Sequence, residues 1–182
     1  NIIEKESVDN NLNFNATLVS KKRNYGTSFF ANRRKRDFFD ANKDNFSEIP
    51  LIDIKSLGSN IFYIPKYNQK IELNLNYIQE YRFGGEMNQE IPINLTKQAE
   101  ERIHDIIMSS IDYEIIINNT SLIPYLAWQN TKREHYTGIM PEENTPEFDI
   151  FLKNPPYGTS NVSTLNMGFQ VNHKLNNFLL GE

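Results

Sequence analysis

The sequence predicts an α+β, β-rich domain: mainly antiparallel sheet, sandwich or barrel-like, with one amphipathic helix near residues 97–110 and an extended N-terminal arm. Three observations lead to this fold class. Residues 71–77 and 165–171 alternate apolar and polar side chains, a period of two that gives a sheet one packed face and one wet face. Only residues 97–110 show convincing helical spacing. Residues 1–48 lack clear periodicity and are dominated by Asn, Lys, Arg and Asp.

The composition excludes several classes of protein. Apolar residues make up 38% and aromatic residues 12% of the 182 residues, so the chain is not disordered as a whole. The absence of cysteine removes a disulfide framework, a zinc–thiolate site and a cysteine nucleophile. No apolar run approaches the roughly 18 residues of a transmembrane helix, and we therefore predict no membrane span.

The predicted arm, residues 1–48, precedes a single β-rich globular domain predicted for residues 49–182. The arm contains the basic segment 21–36, which carries seven positive charges and no acidic residue, whereas the whole chain has a net charge of -4. An arm of this composition buries little of itself. We therefore expect it to take its order from a neighbouring subunit or from nucleic acid.

The basic segment is the predicted partner-binding or nucleic-acid-binding site. Its cations could neutralise phosphates while its aromatic side chains stack on bases, or they could dock on the acidic body of a neighbouring copy. A solvated charged loop and a site for a basic-specific protease are alternatives. The candidate residues are Lys21, Lys22, Arg23, Tyr25, Arg33, Arg34, Lys35 and Arg36.

The globular part divides into predicted strands around one helix. Short strands are predicted at 61–65, 71–77, 91–95, 113–117, 122–128, 148–152 and 165–171. Gly84 and Gly85 suit a hairpin turn, since both accept positive φ. Thr96 is a predicted N-cap for the helix, followed by Glu100 and Glu101 near its positive end. Residues 129–146, with two prolines, are expected to form an exposed loop.

The string Asn154-Pro155-Pro156-Tyr157 follows a predicted strand and resembles the catalytic motif of the N6-adenine DNA methyltransferases. The resemblance implies that the Asn side chain holds the target amino group and that the Tyr stacks on a flipped base. It also implies a Gly-rich turn for S-adenosylmethionine, for which Gly58-Ser59 is the nearest candidate. The alternative is a strand that enters a Pro-Pro turn.

No other pattern indicates catalysis. The three histidines are scattered without metal-ligand spacing, and no Ser has the context of a nucleophile elbow. We therefore predict no catalytic residues, no metal site and no cofactor, and an enzyme is the less favoured class.

The leading hypothesis is a non-enzymatic structural subunit of a multi-copy assembly, such as a viral or phage virion protein. Its partners would be copies of itself, other subunits, or nucleic acid bound through residues 21–36, and its location would be a virion or the extracellular space. A divergent adenine methyltransferase is the first alternative. Six N-x-Ser/Thr sequons, the first at Asn15, and a first residue other than Met leave a secreted glycosylated binding module as the second.

Overall fold

The structure, a computed structural model, describes residues 8–88 and 90–175. These residues form an open sheet of seven antiparallel strands, with a short 3-10 helix at Ile93–Leu95 and one α-helix, α1, at Pro146–Lys153. The strands are β1 (Asp9–Val19), β2 (Tyr25–Arg36), β3 (Leu51–Lys66), β4 (Gln69–Gly85), β5 (Gln98–Ile117), β6 (Thr120–Ile139) and β7 (Tyr157–His173). The β-rich antiparallel prediction is confirmed.

The strands follow a simple meander in which each pairs with the strand before it in sequence. At one end of the sheet, the turn end, hairpins close through residues 20–24, 67–68 and 118–119. At the other, the loop end, long connections span residues 37–50, 86–97 and 140–156. The two ends therefore differ sharply in how much chain lies beyond the strands.

The predicted helix at 97–110 is wrong, because these residues lie in β5. Ala99, Ile103, Ile107 and Ile111 recur every four residues, a spacing that suits one helix face but is also even and therefore suits one strand face. The β-branched isoleucines favour the strand. Pairing with β4 on one side and β6 on the other supplies the backbone hydrogen bonds.

The extended arm is also wrong for residues 9–36, which form β1 and β2 of the same sheet. Their alternation was obscured because both faces of these strands carry polar residues at the loop end. β2 pairs along its whole length with β3, from Tyr25 opposite Tyr63 to Arg36 opposite Ile52. The proposed boundary near residue 48 stays a prediction.

Several shorter predictions differ from the structure as well. Residues 93–95 of the predicted strand 91–95 form the 3-10 helix, and residues 129–139 of the predicted loop lie in β6. Residues 148–152 lie in α1, where the Thr145 hydroxyl caps the first turn by accepting the Phe148 N–H at 3.2 Å and Pro146 occupies the first turn. Gly84 and Gly85 end β4 rather than forming a hairpin, and Gly85 has a φ of +110°.

The buried core lies at the loop end. Phe83, Ala99 and Tyr136 form its centre, and Phe38 and Phe151 from the long connections pack against it. Phe38 meets Phe83 edge to face, with ring centroids 5.6 Å apart. The connections therefore fold back over one face of the sheet at this end.

Among residues 8–88 and 90–175, no helix has the length and apolarity needed to cross a bilayer.

Candidate interaction surface

Strand register assigns every side chain to one of two faces of the sheet, because residues paired across strands point the same way. The face that carries the core residues Phe83 and Tyr136 is called the apolar face, and the opposite one the polar face. Towards the turn end, the apolar face contains the apolar band. The band consists of every second residue of seven segments, beginning with the first residue of each segment. The segments are 12–18, 25–31, 57–63, 71–77, 107–115, 122–128 and 165–171.

No charged residue occurs in the apolar band, and Thr27, Ser59 and Ser109 are its few polar side chains. None of the band is buried, and 16 of its large apolar residues are exposed, including Phe169 at 76% and Leu12 at 74%. The chain exposes 13595 Å² in total, whereas a compact monomer of 21.3 kDa exposes roughly 9,100 Å². The sheet therefore presents a large apolar surface that the described residues leave uncovered.

Both borders of the band are distinctive. At the loop-end border, one row across neighbouring strands carries Arg33, Lys55, Asp105 and Lys132 on the same face as the band. Towards the turn end, a single row of the band carries Tyr25, Tyr63 and Tyr113; it is the last row of the band on β2, β3 and β4, and the band continues one row further on β5, to Ile115. Charge thus returns one row beyond the band on β2, β3 and β5 and two rows beyond it on β6, and tyrosines lie at or next to its turn-end limit.

Trp128 and Tyr77 lie near the loop-end border of the band. The Trp128 indole N–H donates to the Ser163 hydroxyl at 2.8 Å, towards the polar side of that border. The Tyr77 hydroxyl donates to a carboxylate oxygen of Asp105 at 2.9 Å, in the charged row. Both amphipathic side chains therefore keep their rings with the band and direct their polar atoms away from it.

On the polar face opposite the band, hydrogen bonds between polar side chains link neighbouring strands. The Asn60 amide donates to Asn74 at 2.7 Å, and Asn74 donates to the Ser110 hydroxyl at 3.1 Å, which links β3, β4 and β5. Gly58 lies beneath the Phe30 ring, and a Cβ placed there would approach that ring to 2.4 Å. Opposite the band, this face therefore links neighbouring strands through polar side chains that are also suited to water.

At the loop end, the polar face carries charged side chains in pairs. Arg34 donates to both carboxylate oxygens of Asp9, at 3.0 and 2.7 Å, and these hydrogen bonds and the positive charge lower the pKa of Asp9. Arg82 pairs with Glu80, and Arg102 with Glu100. The arginines are thus largely neutralised within the sheet.

An open cavity of about 730 Å³ lies between the 37–50 connection and the loop ends of β4, β5 and β6. Phe46, Pro50 and Gly84 supply apolar walls, and Arg82 and Arg102 supply charge. Nothing in this lining brings a nucleophile and a base together.

The structure separates the predicted basic site into two groups. Lys21, Lys22 and Arg23 lie in the first turn, and Tyr25 begins β2 at the turn-end border of the band. The second group, Arg33 to Arg36, lies at the other end of β2, about 27–37 Å from Tyr25 at ~3.4 Å per residue. There Arg33 and Lys35 point to the apolar face, and Arg34 and Arg36 to the polar face.

The second group is engaged within the chain. Arg33 bonds Asp53 at 3.2 Å, and Arg36 donates to the Pro50 carbonyl at 3.2 and 3.3 Å. The segment is therefore not one continuous cationic surface, although its binding role stays a prediction.

Asn154, Pro155, Pro156 and Tyr157 connect α1 to β7. The Asn154 N–H donates to the Ile150 carbonyl at 2.9 Å and closes the helix. The Tyr157 ring packs on Tyr136, with centroids 5.0 Å apart. Burial raises the pKa of Tyr157, as it does that of Tyr136. Gly58, the candidate for a cofactor turn, lies inside β3. The motif thus joins a helix to a strand and places a half-exposed ring against the core residue Tyr136.

The group best placed to hold a cation is in the 37–50 connection, where oxygens of Asp40, Asp44 and Glu48 lie within 4.8 Å of one another. Asp40 accepts the N–H groups of Lys43 at 2.6 Å and Asn45 at 2.9 Å, which shapes the loop. The sequence signal was present: acidic or amide residues at 40, 42 and 44 have the alternate spacing of the first ligands in calcium loops.

Sequence reasoning also missed the band. Its alternation was recognised on β4 and β7 only, because the isoleucines of β5 suggested a helix.

No family model, curated protein or solved structure matches this chain.

Proposed function

We propose that this chain is a non-enzymatic structural part of a larger assembly, in which other molecules cover its apolar face and complete the edges of its sheet. The observation that carries the proposal is the uncovered band, since an exposed apolar surface of this extent marks an interaction site. Pairing of the outer edges of β1 and β7 would use backbone groups that the meander leaves available there.

The finer features of the fold belong to this proposal. A second layer on the band would give the predicted sandwich, and pairing at both edges would give the predicted barrel-like closure. Residues 21–36 contribute through two basic groups at opposite ends of β2 rather than through one arm. Nothing in the fold is specific to a virion, so the proposal is made for an assembly in general.

A matched pair of substitutions on β7 tests the proposal. Phe169 is on the apolar face and Gln170 on the polar face, so Phe169→Lys places a charge in the interface whereas Gln170→Lys does not. We expect light scattering to show the wild-type chain and Gln170→Lys in particles well above 21.3 kDa, and Phe169→Lys in smaller ones. A wild-type monomer in solution would contradict the proposal.

A further inference from the structure

We propose that the apolar band contacts the acyl chains of a lipid bilayer, which the seven strands span with the polar face turned towards water. This inference rests on the proposed function and names the molecule that covers the band. It is argued from the dimensions of the band, its borders, the opposite face and the two ends of the sheet.

The height of the band fits a bilayer. On β5 the band runs from Ile107 to Ile115, about 27 Å along the strand at ~3.4 Å per residue, and on the other strands about 20 Å. Strands that cross the hydrocarbon core need roughly 9–11 residues and present an outward apolar zone of about 25 Å. The strands continue past the band for up to eleven residues at the loop end, where the apolar face becomes charged.

The borders favour lipid over a second protein layer. Tyr25, Tyr63 and Tyr113 share one row, which is the last row of the band on β2 and β3 and the last but one on β5, and Trp128 lies at the loop-end limit of the band on β6. Tyrosine and tryptophan concentrate at membrane–water interfaces, where the ring is apolar and the polar atom is wet. A protein layer packed on the sheet would have no reason to sort side chains by height in this way.

The band also crosses the strands obliquely. Its loop-end limit is Leu12 on β1 and Leu165 on β7, and strand register places these two residues two rows, or four residues, apart. The shift of about 13 Å occurs over six strand spacings of about 4.8 Å, an inclination of roughly 25°. Strands of a membrane-spanning sheet are likewise inclined relative to a level apolar zone, by about 35–45°.

The two ends of the sheet differ as the two sides of a membrane sheet do. Two of the three turns at one end have two residues, while the connections at the other end have 12 to 17 residues. Short turns on one side and long loops on the other accompany membrane sheets of this type. Since lipid cannot hydrogen-bond a strand edge, the outer edges of β1 and β7 must pair with further strands.

The chain contains a single tryptophan, which allows a direct test. Leu126 is in the band and Ala127, its neighbour on β6, is on the polar face. In a Trp128→Phe background, Leu126→Trp and Ala127→Trp place the same fluorophore on opposite faces. Each chain is folded with vesicles of equal parts phosphatidylcholine and phosphatidylglycerol, with and without bromine on the acyl chains.

We expect bromine to quench Leu126→Trp severalfold more than Ala127→Trp, and shallow bromine to quench the natural Trp128 more than deep bromine. Equal quenching on both faces, or failure of the chain to bind vesicles, would overturn the inference.

Light scattering without lipid separates the two proposals. A discrete water-soluble oligomer that shields Leu126→Trp would overturn the lipid contact and leave the assembly intact. A stable monomer with this tryptophan exposed to water would overturn both.

Discussion

The two ends of this sheet are made of the same strands, but they differ in whether the chain covers its own apolar face. At the loop end, the chain supplies its own cover, so that Tyr136 is fully buried beneath side chains of the long connections. At the turn end, the connections are too short to reach over the apolar face, and residues such as Met167 are 70% exposed. Apolar patterning therefore specifies that a face must be covered, and loop length decides whether the chain can cover it.

The largest effect should come from the self-covered end. Tyr136→Ala removes a buried ring from the centre of the core and should cost about 3–5 kcal/mol of unfolding free energy. Tyr67→Ala is the matched control, because Tyr67 is 98% exposed in the β3–β4 turn and should change stability little. Urea denaturation of both variants measures the difference. Equal losses would show that the loop-end core does not govern stability.

The hydroxyl of Tyr136 sharpens that prediction. It is buried and has no hydrogen-bond partner among the described residues. Tyr136→Phe should therefore leave the unfolding free energy unchanged or raise it, because no satisfied hydrogen bond is lost. A destabilisation close to that of Tyr136→Ala would mean that the hydroxyl, rather than the ring, holds this end together.

The uncovered end is probed by one charge on either face of β4. Leu73 is in the middle of the band and Asn74 is on the polar face. In vesicles, Leu73→Arg should cost about 2–4 kcal/mol of unfolding free energy, because it places a guanidinium in hydrocarbon. Asn74→Arg keeps its charge in water but loses two side-chain hydrogen bonds, and should cost less, about 1–2 kcal/mol. Denaturant titration in the lipid-bound state measures both losses. A larger loss for Asn74→Arg than for Leu73→Arg would contradict the assignment of the apolar face to lipid.

The junction between the connections and the sheet depends on Gly85. Its φ of +110° is unfavourable for other residues, and an added Cβ would lie 2.3 Å from the Gln98 carbonyl oxygen. Gly85→Ala should destabilise the chain by about 1–3 kcal/mol. At Gly84 the nearest atom is the Pro50 Cβ at 3.3 Å, so Gly84→Ala serves as the milder neighbour. A larger loss of thermal stability for Gly84→Ala than for Gly85→Ala would contradict the assignment of backbone strain to Gly85.

The smallest effect is expected in alkaline solution. Tyr81 lies two rows beyond the band, where burial, and then the nearby Glu101 carboxylate, raise its pKa to about 12. An unfolded tyrosine loses its proton near pH 10, so the stability that this group contributes is complete below pH 10 and is lost as the pH rises towards 12.

Tyr81→Phe should flatten the fall in stability between pH 10 and 12, and absorbance of the phenolate should show one late-titrating tyrosine fewer than in the wild type. If the variant lost as much stability between pH 10 and 12 as the wild type does, Tyr81 would not be the group responsible.

The sequence was informative where one face is wet and the other apolar over a whole strand. The segment 71–77 showed its alternation plainly and lies in β4 as predicted. β5 could not be read in the same way, because isoleucines four residues apart fit a helix face and a strand face equally. β1 and β2 were missed since each passes from an apolar band into charged rows, which averages away the periodicity within one window.

The candidate surface was harder to predict than the strands. Residues of the band come from seven strands, and only register shows that Tyr25, Tyr63 and Tyr113 share one row. Asn154-Pro155-Pro156-Tyr157 shows the opposite case, in which a short string resembled a catalytic motif but contributes a helix end and a packed ring. Local strings carry little information about contacts that span many strands.

The pairing of each strand with its sequence neighbours has a consequence for how a protein with this fold can evolve. Because no strand depends on a distant one for its pairing, a hairpin can be gained or lost at any position without rerouting the rest of the chain. The width of the sheet is therefore adjustable in steps of two strands, while its thickness and the separation of its polar and apolar faces stay constant.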